Sequence, residues 1–447
     1  MADDTPGEGG LKAARRHPLE WQSESFYDEA ALIPEMERVF EVCHGCRRCF
    51  SLCNAFPTLF DAIDATDTGE LDGVPRKVYW EVVDHCYLCD LCFMTKCPYV
   101  PPHPWNIDFP HLMLRAKAKR FRDEGAPLRD RVLSATDAVG NLAGIPVVAG
   151  IVNAVNATAA GRAALSATLG VARDAPLPRY ESRTARKRLS RRERARPAEP
   201  AGRTENTSGR VILFTTCYGN RNLPSMCEDL VAVYEHNGIE VRMTVEERCC
   251  GMPKLELGDL QAIAQTKAAN VPELATWVRE GYDIVAPIPS CVLMFKQELP
   301  LMFPEDDEVR LVAAAFRDPF DYLIERYRAG KVRTDFSGQL GKVAYHVPCH
   351  QRVQNIGRKT REVLEWVPGT EVTLIERCSG HDGTYGVKER FRGHSLKIAA
   401  PVVARVRDSG AQHFTSDCPM AGAQIAGQLP EDIYAHPLSL LRQAYGI

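Results

Sequence analysis

This 447-residue sequence lacks an excess of charge of either sign, and it also lacks nucleotide-binding motifs. Lys and Arg total 55 against 58 Asp and Glu, for a net charge of −3. No overall field therefore favours nucleic acid, which we exclude as an expected partner. No G-x-G-x-x-G follows a predicted strand and no P-loop occurs, so we expect no bound flavin, nicotinamide or nucleotide.

Long hydrophobic runs are scarce, and the one long uncharged stretch covers residues 138–161. It is long enough to span a bilayer. However, Pro146, four glycines and three asparagines interrupt it, which disfavours a spanning helix. A peripheral membrane contact, docking of a partner and packing against the cluster domain stay open. The basic residues 183–196 would reinforce a membrane contact, although we favour a solvated linker over 183–208.

We expect no secretory leader, because the first ten residues, MADDTPGEGG, are acidic and rich in glycine. This composition predicts a flexible tail over 1–29. It also predicts a cytoplasmic location, with peripheral attachment at the inner face of the membrane as the alternative. In a reducing compartment we expect the clustered cysteines among the 16 to bind metal and not to form disulfides, while Cys227, which has no counterpart in the rest of the chain, is expected to be a buried small hydrophobe.

Eight of the cysteines stand in two runs with the spacing of iron–sulphur ligands. The runs are Cys43-x2-Cys46-x2-Cys49-x3-Cys53 and Cys86-x2-Cys89-x2-Cys92-x4-Cys97-Pro98. In two-cluster ferredoxins the last cysteine of each run ligates the other cluster. The predicted ligand sets are Cys43, Cys46, Cys49 and Cys97 for one [4Fe–4S] cluster, and Cys86, Cys89, Cys92 and Cys53 for a second. Structural zinc and disulfides are less favoured, since zinc sites usually use cysteine pairs.

The residues around these runs predict helices. Leu32, Met36, Val39 and Phe40 recur on one face of a helix over Ala30 to Val42, which delivers the chain to the first run. We therefore expect an α-helical ferredoxin-like 2[4Fe–4S] domain over 30–127. An apolar helical joining segment is expected over 128–182.

The second half of the sequence alternates short apolar strands with helical stretches, which is typical of an α/β fold. The predicted strands are 211–214, 283–286, 343–345 and 413–415, each followed within a few residues by a cysteine. The carboxyl ends of parallel strands are where open α/β sheets place ligands. Cysteine sites are therefore predicted at these sheet edges.

The cysteine spacing of the second half indicates a duplication. Cys349 follows Cys217 by 132 positions, Cys378 follows Cys249 by 129, and Cys418 follows Cys291 by 127. Three parallel offsets of nearly equal length predict two lobes, 209–335 and 336–447, each with its own cysteine set. The predicted fold class is thus α+β overall, with the helical domain followed by two duplicated α/β cysteine-rich lobes.

The two lobes offer different donors. Lobe one has the four thiols of Cys217, Cys249, Cys250 and Cys291. Adjacent cysteines strain a single tetrahedral ion but suit different irons of one cluster. Lobe two has only Cys349, Cys378 and Cys418, because Ser379 stands where the second member of the pair would be. His350, His381 and Asp382 could complete a metal site there, and we predict His381 as its ligand.

Six stretches of the sequence resemble one known family: TTCYGN, CCGMPKLELGD, PSCVLM, VPCHQR, CSGHDGTYG and SDCPMAG. The chain looks like the heterodisulfide reductase-related proteins with cysteine-rich CCG domains. It is similar to the iron–sulphur subunit of anaerobic glycerol-3-phosphate dehydrogenase and, more distantly, to that of glycolate oxidase. The family motif ends each lobe in Cys-x-x-Cys, whereas Met294 and Ala421 stand at those positions here.

The resemblance implies a subunit that passes electrons between a partner and quinones or other carriers. The partner would be a dehydrogenase, a disulfide-reducing subunit or a rubrerythrin-like protein. It implies a third iron–sulphur cluster in lobe one, and in lobe two either a metal ion or a degenerate structural lobe. Three functions stay open: electron transfer, which we favour, reduction of a disulfide or small molecule at lobe one, and a zinc-binding scaffold. No catalytic residue is predicted.

Overall fold

The computed structural model describes residues 14–192 and 202–447. Among these residues it separates two units. Unit one contains the chain up to Pro127 together with Lys254–Gln261 and Leu301–Phe303, and unit two contains the rest of the described chain. Unit two therefore holds the joining segment and most of both lobes.

Residues 14–127 of unit one form helices and no strand. The α-helices are α1 (Glu29–Cys46), α2 (Ala55–Asp64), α3 (Arg76–His85), α4 (Leu91–Thr95) and α5 (Phe109–Glu124), with 3-10 turns at Glu24–Tyr27 and Leu71–Gly73. Asp28 starts α1 by accepting a hydrogen bond from the Ala30 N–H at 3.1 Å. The predicted apolar face of α1 is buried, as its helical spacing requires. The helix continues four residues beyond the predicted end, so that it carries two cysteines.

The predicted flexible tail over 1–29 is wrong for its described part; residues 1–13 lie outside the described residues. Leu19 and Trp21 are buried. The Leu19 N–H donates to the Leu301 carbonyl at 2.8 Å, and the Trp21 Nε1–H donates to the Met302 carbonyl at 2.9 Å. Burial of these apolar side chains stabilises this segment by more than the free energy lost when its chain is ordered.

The joining segment of unit two is a series of short helices. They are α6 (Leu128–Ser134), α7 (Thr136–Ala143), α8 (Pro146–Ala157), α9 (Ala159–Leu169) and α10 (Ala185–Arg192). The uncharged stretch is broken where Ile145 is extended and Pro146 opens α8, because proline fits the first turn of a helix but not its interior. Within the described residues no single helix has the length and apolarity to cross a bilayer. By those two criteria alone the pair α7 and α8, bent by 106°, could do so.

The described part of the expected linker 183–208 differs from the prediction. Ala185 and Leu189 of α10 are buried, and they lie one turn apart on one face of the helix. Arg188 reaches Glu181 and Glu228 at 3.0 and 3.3 Å. The arginine-rich segment that suggested solvation therefore forms ion pairs within unit two. Residues 193–201 lie outside the described residues.

Lobe one is a parallel sheet in the order β2-β1-β3-β4, built from β1 (Arg210–Leu213), β2 (Glu240–Met243), β3 (Asp283–Val285) and β4 (Phe316–Arg317). Its helices are α11 (Cys217–Arg221), α12 (Pro224–His236), α13 (Met252–Leu257), α14 (Leu260–Arg279), α15 (Pro289–Leu293), α16 (Leu299–Met302), α17 (Asp307–Ala315) and α18 (Pro319–Arg328). Val211, Ile212 and Leu213 of the inner strand β1 are fully buried, as expected of a strand covered on both faces.

Lobe two is a second parallel sheet, in the order β6-β5-β7, built from β5 (Lys342–His346), β6 (Glu371–Ile375) and β7 (His413–Ser416). Its helices are α19 (Cys349–Arg352), α20 (Lys359–Leu364), α21 (Glu389–Asp408), α22 (Pro419–Ala426) and α23 (Pro437–Tyr445). In each lobe the first strand lies between the second and the third. The four predicted strands are found, and this shared order agrees with the predicted duplication.

Candidate metal centres

The first cysteine run of unit one lies where α1 ends. Cys43 and Cys46 belong to the last turn of α1, and Arg47 then adopts a left-handed conformation at φ 51°. The turn that follows carries Cys49 and Cys53 toward α2. This reversal wraps the run, so that thiols three positions apart in sequence face a common point.

The structure brings the last cysteine of the second run to this first group. Burial raises the pKa of the Cys43 thiol well above its usual value, and the charges of Cys49, Cys97 and Cys46 raise it further. Burial likewise raises the pKa of Cys49 to about 12, with Cys97 as the next cause. Buried thiols that repel one another when ionised are a suitable environment for a bound cation or cluster.

The second group surrounds a cavity. A small pocket is lined by four cysteines together with apolar side chains and backbone. The cysteines are Cys53, Cys86, Cys89 and Cys92. Burial raises the pKa of the Cys92 thiol, and Cys49, Cys86 and Cys53 raise it further. Cys53 is therefore beside the second run and Cys97 beside the first, which is the exchange that the sequence analysis predicted.

Backbone strain and aromatic cover complete this cavity. Leu88 and Asp90, which flank Cys89, both have positive φ angles of 55° and 61°, a conformation that costs energy in residues other than glycine. Phe56 and Phe109 line the same space, with ring centroids 4.7 Å apart. The loop is thus bent around a pocket that aromatic rings shield from water. This set of four cysteine donors fits an iron–sulphur cluster.

In lobe one, four thiols from three loops form a continuous chain. Cys217 opens α11 after β1, Cys249 and Cys250 follow β2, and Cys291 lies in α15 after β3. Hydrogen bonds from Cys217 and Cys250 lower the pKa of the Cys249 thiol. A hydrogen bond to Cys249 raises the pKa of Cys250, and one to Cys291 raises it further. The carboxyl edge of the sheet therefore gathers all four predicted ligands of lobe one.

Two residues of the joining segment support this chain, and the sequence analysis missed both. The Thr136 hydroxyl contacts the thiols of Cys217 and Cys249. The Cys249 N–H donates to the Asp137 carboxylate at 2.8 Å, and Arg221 lies 3.5 Å from the same side chain. Thr136 and Asp137 precede Cys217 and Cys249 by about 80 to 110 positions, and neither residue belongs to a motif. The sequence also did not predict that α7 contacts lobe one.

The positions where the family motif carries further cysteines are filled by apolar side chains. Met294 is fully buried at the start of a π-helical turn, Met294–Glu298, and Ala421 is buried in α22. Cys227, which has no counterpart in lobe two, is fully buried, and its thiol donates to the Thr215 carbonyl at 3.5 Å. These three residues serve the cores of their lobes.

Lobe two gathers a different set of donors. Ligand atoms of Cys349, His350 and Asp382 all lie within 4.8 Å of one another. Burial raises the pKa of Cys349 well above its usual value, and the charges of Asp382, Cys378 and Cys418 raise it further. The three predicted cysteines therefore approach one another. His381 is not part of the three-residue group: both its ring nitrogens are buried without a hydrogen-bond partner.

The cysteine edges of the two lobes meet inside unit two. The Ser290 hydroxyl, next to Cys291, and His350 Nδ1, next to Cys349, form a hydrogen bond of 2.7 Å. Burial and the charge of Cys418 raise the pKa of Tyr218, which follows Cys217. Each edge therefore contributes to the surroundings of the other.

Comparison with known proteins agrees with this duplicated arrangement. The family model of the cysteine-rich domain CCG matches residues 211–296 and 343–426. The second half of the chain therefore carries two copies of this cysteine-rich domain. The predicted duplication is thereby confirmed.

Individual relatives point in the same direction. The chain is 29% identical over 348 residues to a subunit of the anaerobic glycerol-3-phosphate dehydrogenase of Escherichia coli K12, covering 76% of this chain and 83% of the relative. It is 28% identical over 243 residues to lactate utilization protein A of an Exiguobacterium species, covering 52% of this chain and 95% of the relative. It is 24% identical over 233 residues to a subunit of the fumarate reductase (CoM/CoB) of Methanothermobacter marburgensis, covering 51% of this chain and 44% of the relative. The resemblance inferred from the six motifs is confirmed.

Proposed function

We propose that this chain is an iron–sulphur electron-transfer protein that works with a partner oxidoreductase or a quinone. Two [4Fe–4S] clusters would occupy a ferredoxin-like domain over 30–127, and a third cluster would occupy lobe one. Two of the relatives are by name subunits of a dehydrogenase and a reductase, which supports a redox partner. The partner would be a dehydrogenase, a disulfide-reducing subunit or a rubrerythrin-like protein.

The observation that carries this proposal is the chain of four thiols in lobe one. Three separate loops converge so that Cys217 contacts Cys249, Cys249 contacts Cys250, and Cys250 contacts Cys291. Such convergence has a structural cost, because four buried thiols contribute less to a core than four close-packed aliphatic side chains. A multi-iron cluster explains why adjacent cysteines are both used, since each can bind a different iron.

When bound, the clusters would supply reversible one-electron chemistry at potentials that their surroundings adjust. The chain's own residues hold and adjust them. The cysteines bind as thiolates, the Thr136 hydroxyl contacts two of the thiols, and Asp137 fixes the backbone of Cys249. Phe56 and Phe109 exclude water from the second group of unit one. Hydrogen bonding to thiolate sulphur and burial are both recognised controls of potential.

A second candidate function is reduction of a disulfide or small molecule between the lobes. The observation that favours it is the approach of Tyr218 to Cys418 across the two cysteine edges. Reduction of a disulfide takes two electrons and two protons and releases two thiols, so the partner would have to deliver electrons in two steps. Anaerobic turnover of a small organic disulfide with reduced protein, lost in Tyr218→Phe but not in Tyr327→Phe, would favour this candidate.

The location is proposed to be cytoplasmic, with peripheral attachment at the inner face of the membrane. Leu142, Ile145, Val147 and Ile151 of α7, α8 and the turn between them expose large apolar surfaces. Val147 and Ile151 lie one turn apart, so they share a face of α8. Such a face suits insertion into the headgroup region of a bilayer. The ion pairs of Arg188 leave that arginine engaged, so apolar contact would dominate.

The experiment that tests the main proposal is Cys249→Ala with iron analysis and low-temperature EPR. We expect the variant to lose the lobe-one signal and about four irons, because a central ligand is removed, while the two cubane signals remain. Cys227→Ala is the matched control, since Cys227 is equally buried in lobe one but bonds only to the Thr215 carbonyl. Unchanged iron in Cys249→Ala would overturn a cluster in lobe one.

A further inference from the structure

Lobe two combines sulphur, nitrogen and oxygen donors at one point, unlike lobe one. Cys349, His350 and Asp382 present ligand atoms that lie within 4.8 Å of one another, and Cys349 Sγ is 3.8 Å from Asp382 Oδ1. His350 and Asp382 are both buried, at 4% and 8% exposure. A thiol, an imidazole and a carboxylate grouped this closely are donor types that a divalent transition-metal ion takes up in proteins.

The backbone is bent to present the carboxylate. Asp382 has a φ of 27°, between Gly380 at 69° and Gly383 at 48°. Left-handed conformations of this kind are strained in residues with a side chain and persist at functional sites. Hydrogen bonds from Tyr385 N–H to Asp382 O and from Gly386 N–H to His381 O, both 2.8 Å, hold the loop. The bend therefore places Asp382 beside Cys349 instead of leaving it in solvent.

The imidazole of His350 is oriented from the other lobe. Its Nδ1 is hydrogen-bonded to the Ser290 hydroxyl at 2.7 Å, so Nε2 is the nitrogen that can bind a ligand. Histidines that bind metal almost always engage their other ring nitrogen in this way, which fixes the tautomer. Ser290 precedes Cys291 of lobe one. The same contact thus connects the two cysteine edges.

We propose that lobe two binds one divalent transition-metal ion, zinc in the first instance, through Cys349 Sγ, His350 Nε2 and an Asp382 carboxylate oxygen. Mixed sulphur, nitrogen and oxygen donors suit tetrahedral zinc, whereas four thiolates suit iron–sulphur clusters. Ser379 and Ala421 leave lobe two short of cysteines for a cluster. The fourth position falls to Cys378 or Cys418, the other thiols whose charges act on Cys349.

The proposed site uses a different histidine from the one predicted from the sequence. The sequence favours His381, which is next to Asp382, but its imidazole lies outside the three-residue group, and Arg392 is the charged group that acts on it. His350 follows Cys349 at the start of α19, the short helix that comes after β5. The redox-inert ion would fix the 380–386 loop to α19 and hold His350 against Ser290.

The inference deepens the proposed function by naming the metal of lobe two. The test uses the full chain, purified anaerobically with its clusters and dialysed against zinc. We expect one zinc per chain. The extended X-ray absorption fine structure of the bound zinc should show a mixed first shell, with sulphur at about 2.3 Å and nitrogen or oxygen at about 2.0–2.1 Å. A shell of four sulphurs, or no bound zinc, would overturn the site.

Variants separate ligands from neighbours. His350→Ala and Asp382→Asn should lose zinc, and Ser290→Ala, which removes only the orienting hydroxyl, should weaken it about 10–100-fold. His381→Gln is the matched control, because it changes another buried histidine of lobe two, and zinc should stay bound. Ser290→Ala keeps the test decisive even if a ligand variant fails to fold. Wild-type affinity in Ser290→Ala and His350→Ala would contradict the proposal.

The outcomes also distinguish this inference from the proposed function. Zinc bound as described in a chain whose iron gives no EPR signal on reduction would defeat electron transfer and leave the zinc site standing. Reducible clusters without zinc would do the opposite. Loss of iron and sulfide in Cys349→Ala would show a cluster in lobe two and overturn the zinc site alone.

Discussion

Arg16 forms a two-pronged ion pair with Asp90, in which the guanidinium donates to the two carboxylate oxygens at 2.7 and 2.8 Å. Both side chains are more than nine-tenths buried, and Arg16 also reaches Asp108 at 3.0 Å. Asp90 lies between Cys89 and Cys92 at the edge of the cysteine-lined cavity. The segment expected to be a flexible tail thus places a positive charge beside a candidate cluster.

Replacing this arginine should affect both stability and potential. Arg16→Met removes the guanidinium from the buried Asp90 and the half-buried Asp108, which should destabilise unit one by about 3–5 kcal/mol. The cluster held by the second run should also become harder to reduce, because a nearby positive charge favours the added electron. Thermal unfolding and an EPR-monitored redox titration measure the two effects. Arg38→Met, which removes an exposed pair with Glu35, should cost about 1 kcal/mol or less; equal effects of both variants would refute the assignment.

The crossed ligand sets predict opposite results for the last cysteine of each run. Cys53→Ala should disrupt the cluster held mainly by the second run, because Cys53 lines the cavity with three cysteines of that run. Cys97→Ala should disrupt the other cluster, because Cys97 acts on Cys43 and Cys49. EPR of the reduced variants distinguishes the two signals. If Cys53→Ala removed only the first run's signal, the crossing would be wrong.

Thr136 should tune the lobe-one centre without being needed for its assembly. Thr136→Val keeps the side-chain shape but removes the hydroxyl that contacts Cys217 and Cys249. A hydrogen bond to a thiolate favours the more negative, reduced state, so its loss should lower the reduction potential while the iron content stays constant. The redox titration of the lobe-one signal measures this shift. Thr168→Val, at an exposed position of α9, should leave the potential unchanged, and an unshifted Thr136→Val would exclude the contact.

His346 should make unit two sensitive to acid. Burial lowers the pKa of this imidazole to about 4 from 6.5, although its hydrogen bond to the Arg377 carbonyl at 2.8 Å opposes that shift. Its other ring nitrogen lies 3.0 Å from the Ser416 hydroxyl. The unfolded chain therefore binds a proton that the folded chain does not, so stability falls as the pH drops from about 6.5 to about 4, by up to about 1.4 kcal/mol per pH unit.

Substitution isolates this contribution from those of other buried groups. In His346→Gln the free energy of unfolding should depend less steeply on pH over the same range, whatever its value at neutral pH. Urea unfolding at several pH values measures both slopes. Parallel curves for the wild type and the variant would show that His346 does not set the acid sensitivity.

The apolar face of α8 predicts vesicle binding that resists salt. Val147 and Ile151 are 73% and 59% exposed, so the double change to serine should reduce co-flotation with anionic vesicles by removing buried apolar area. Raising the ionic strength should have little effect on the wild type, because apolar contact is not screened as charge is. Leu128→Ser, at another exposed position, is the control. Absence of wild-type flotation would exclude the membrane contact.

Features with a local physical cause were predictable from the sequence. The apolar face of α1 follows from helical periodicity, and the strands that precede Cys217 and Cys349 follow from short apolar runs that end at a turn. The parallel cysteine spacing made the duplication visible before any fold was known. In each case the signal and the structure lie within a few residues of one another.

Features that depend on distant partners were not predictable. Thr136 lies outside the six motifs, and Ser290 belongs to PSCVLM only as the neighbour of Cys291. Each is important because the fold brings it to a cysteine or histidine far away in sequence. Arg188 suggested a solvated linker, yet its carboxylate partners lie within unit two. His350 and His381 are both close to lobe-two cysteines in sequence, and only the loop geometry separates them.

The most direct test of the account is the amount of iron and sulfide per chain in anaerobically purified protein, with low-temperature EPR before and after reduction. The account predicts about twelve irons and a signal beyond those of the two cubanes, from a third cluster in lobe one. About eight irons with only cubane signals would contradict it, because the four thiols of lobe one would then hold no cluster.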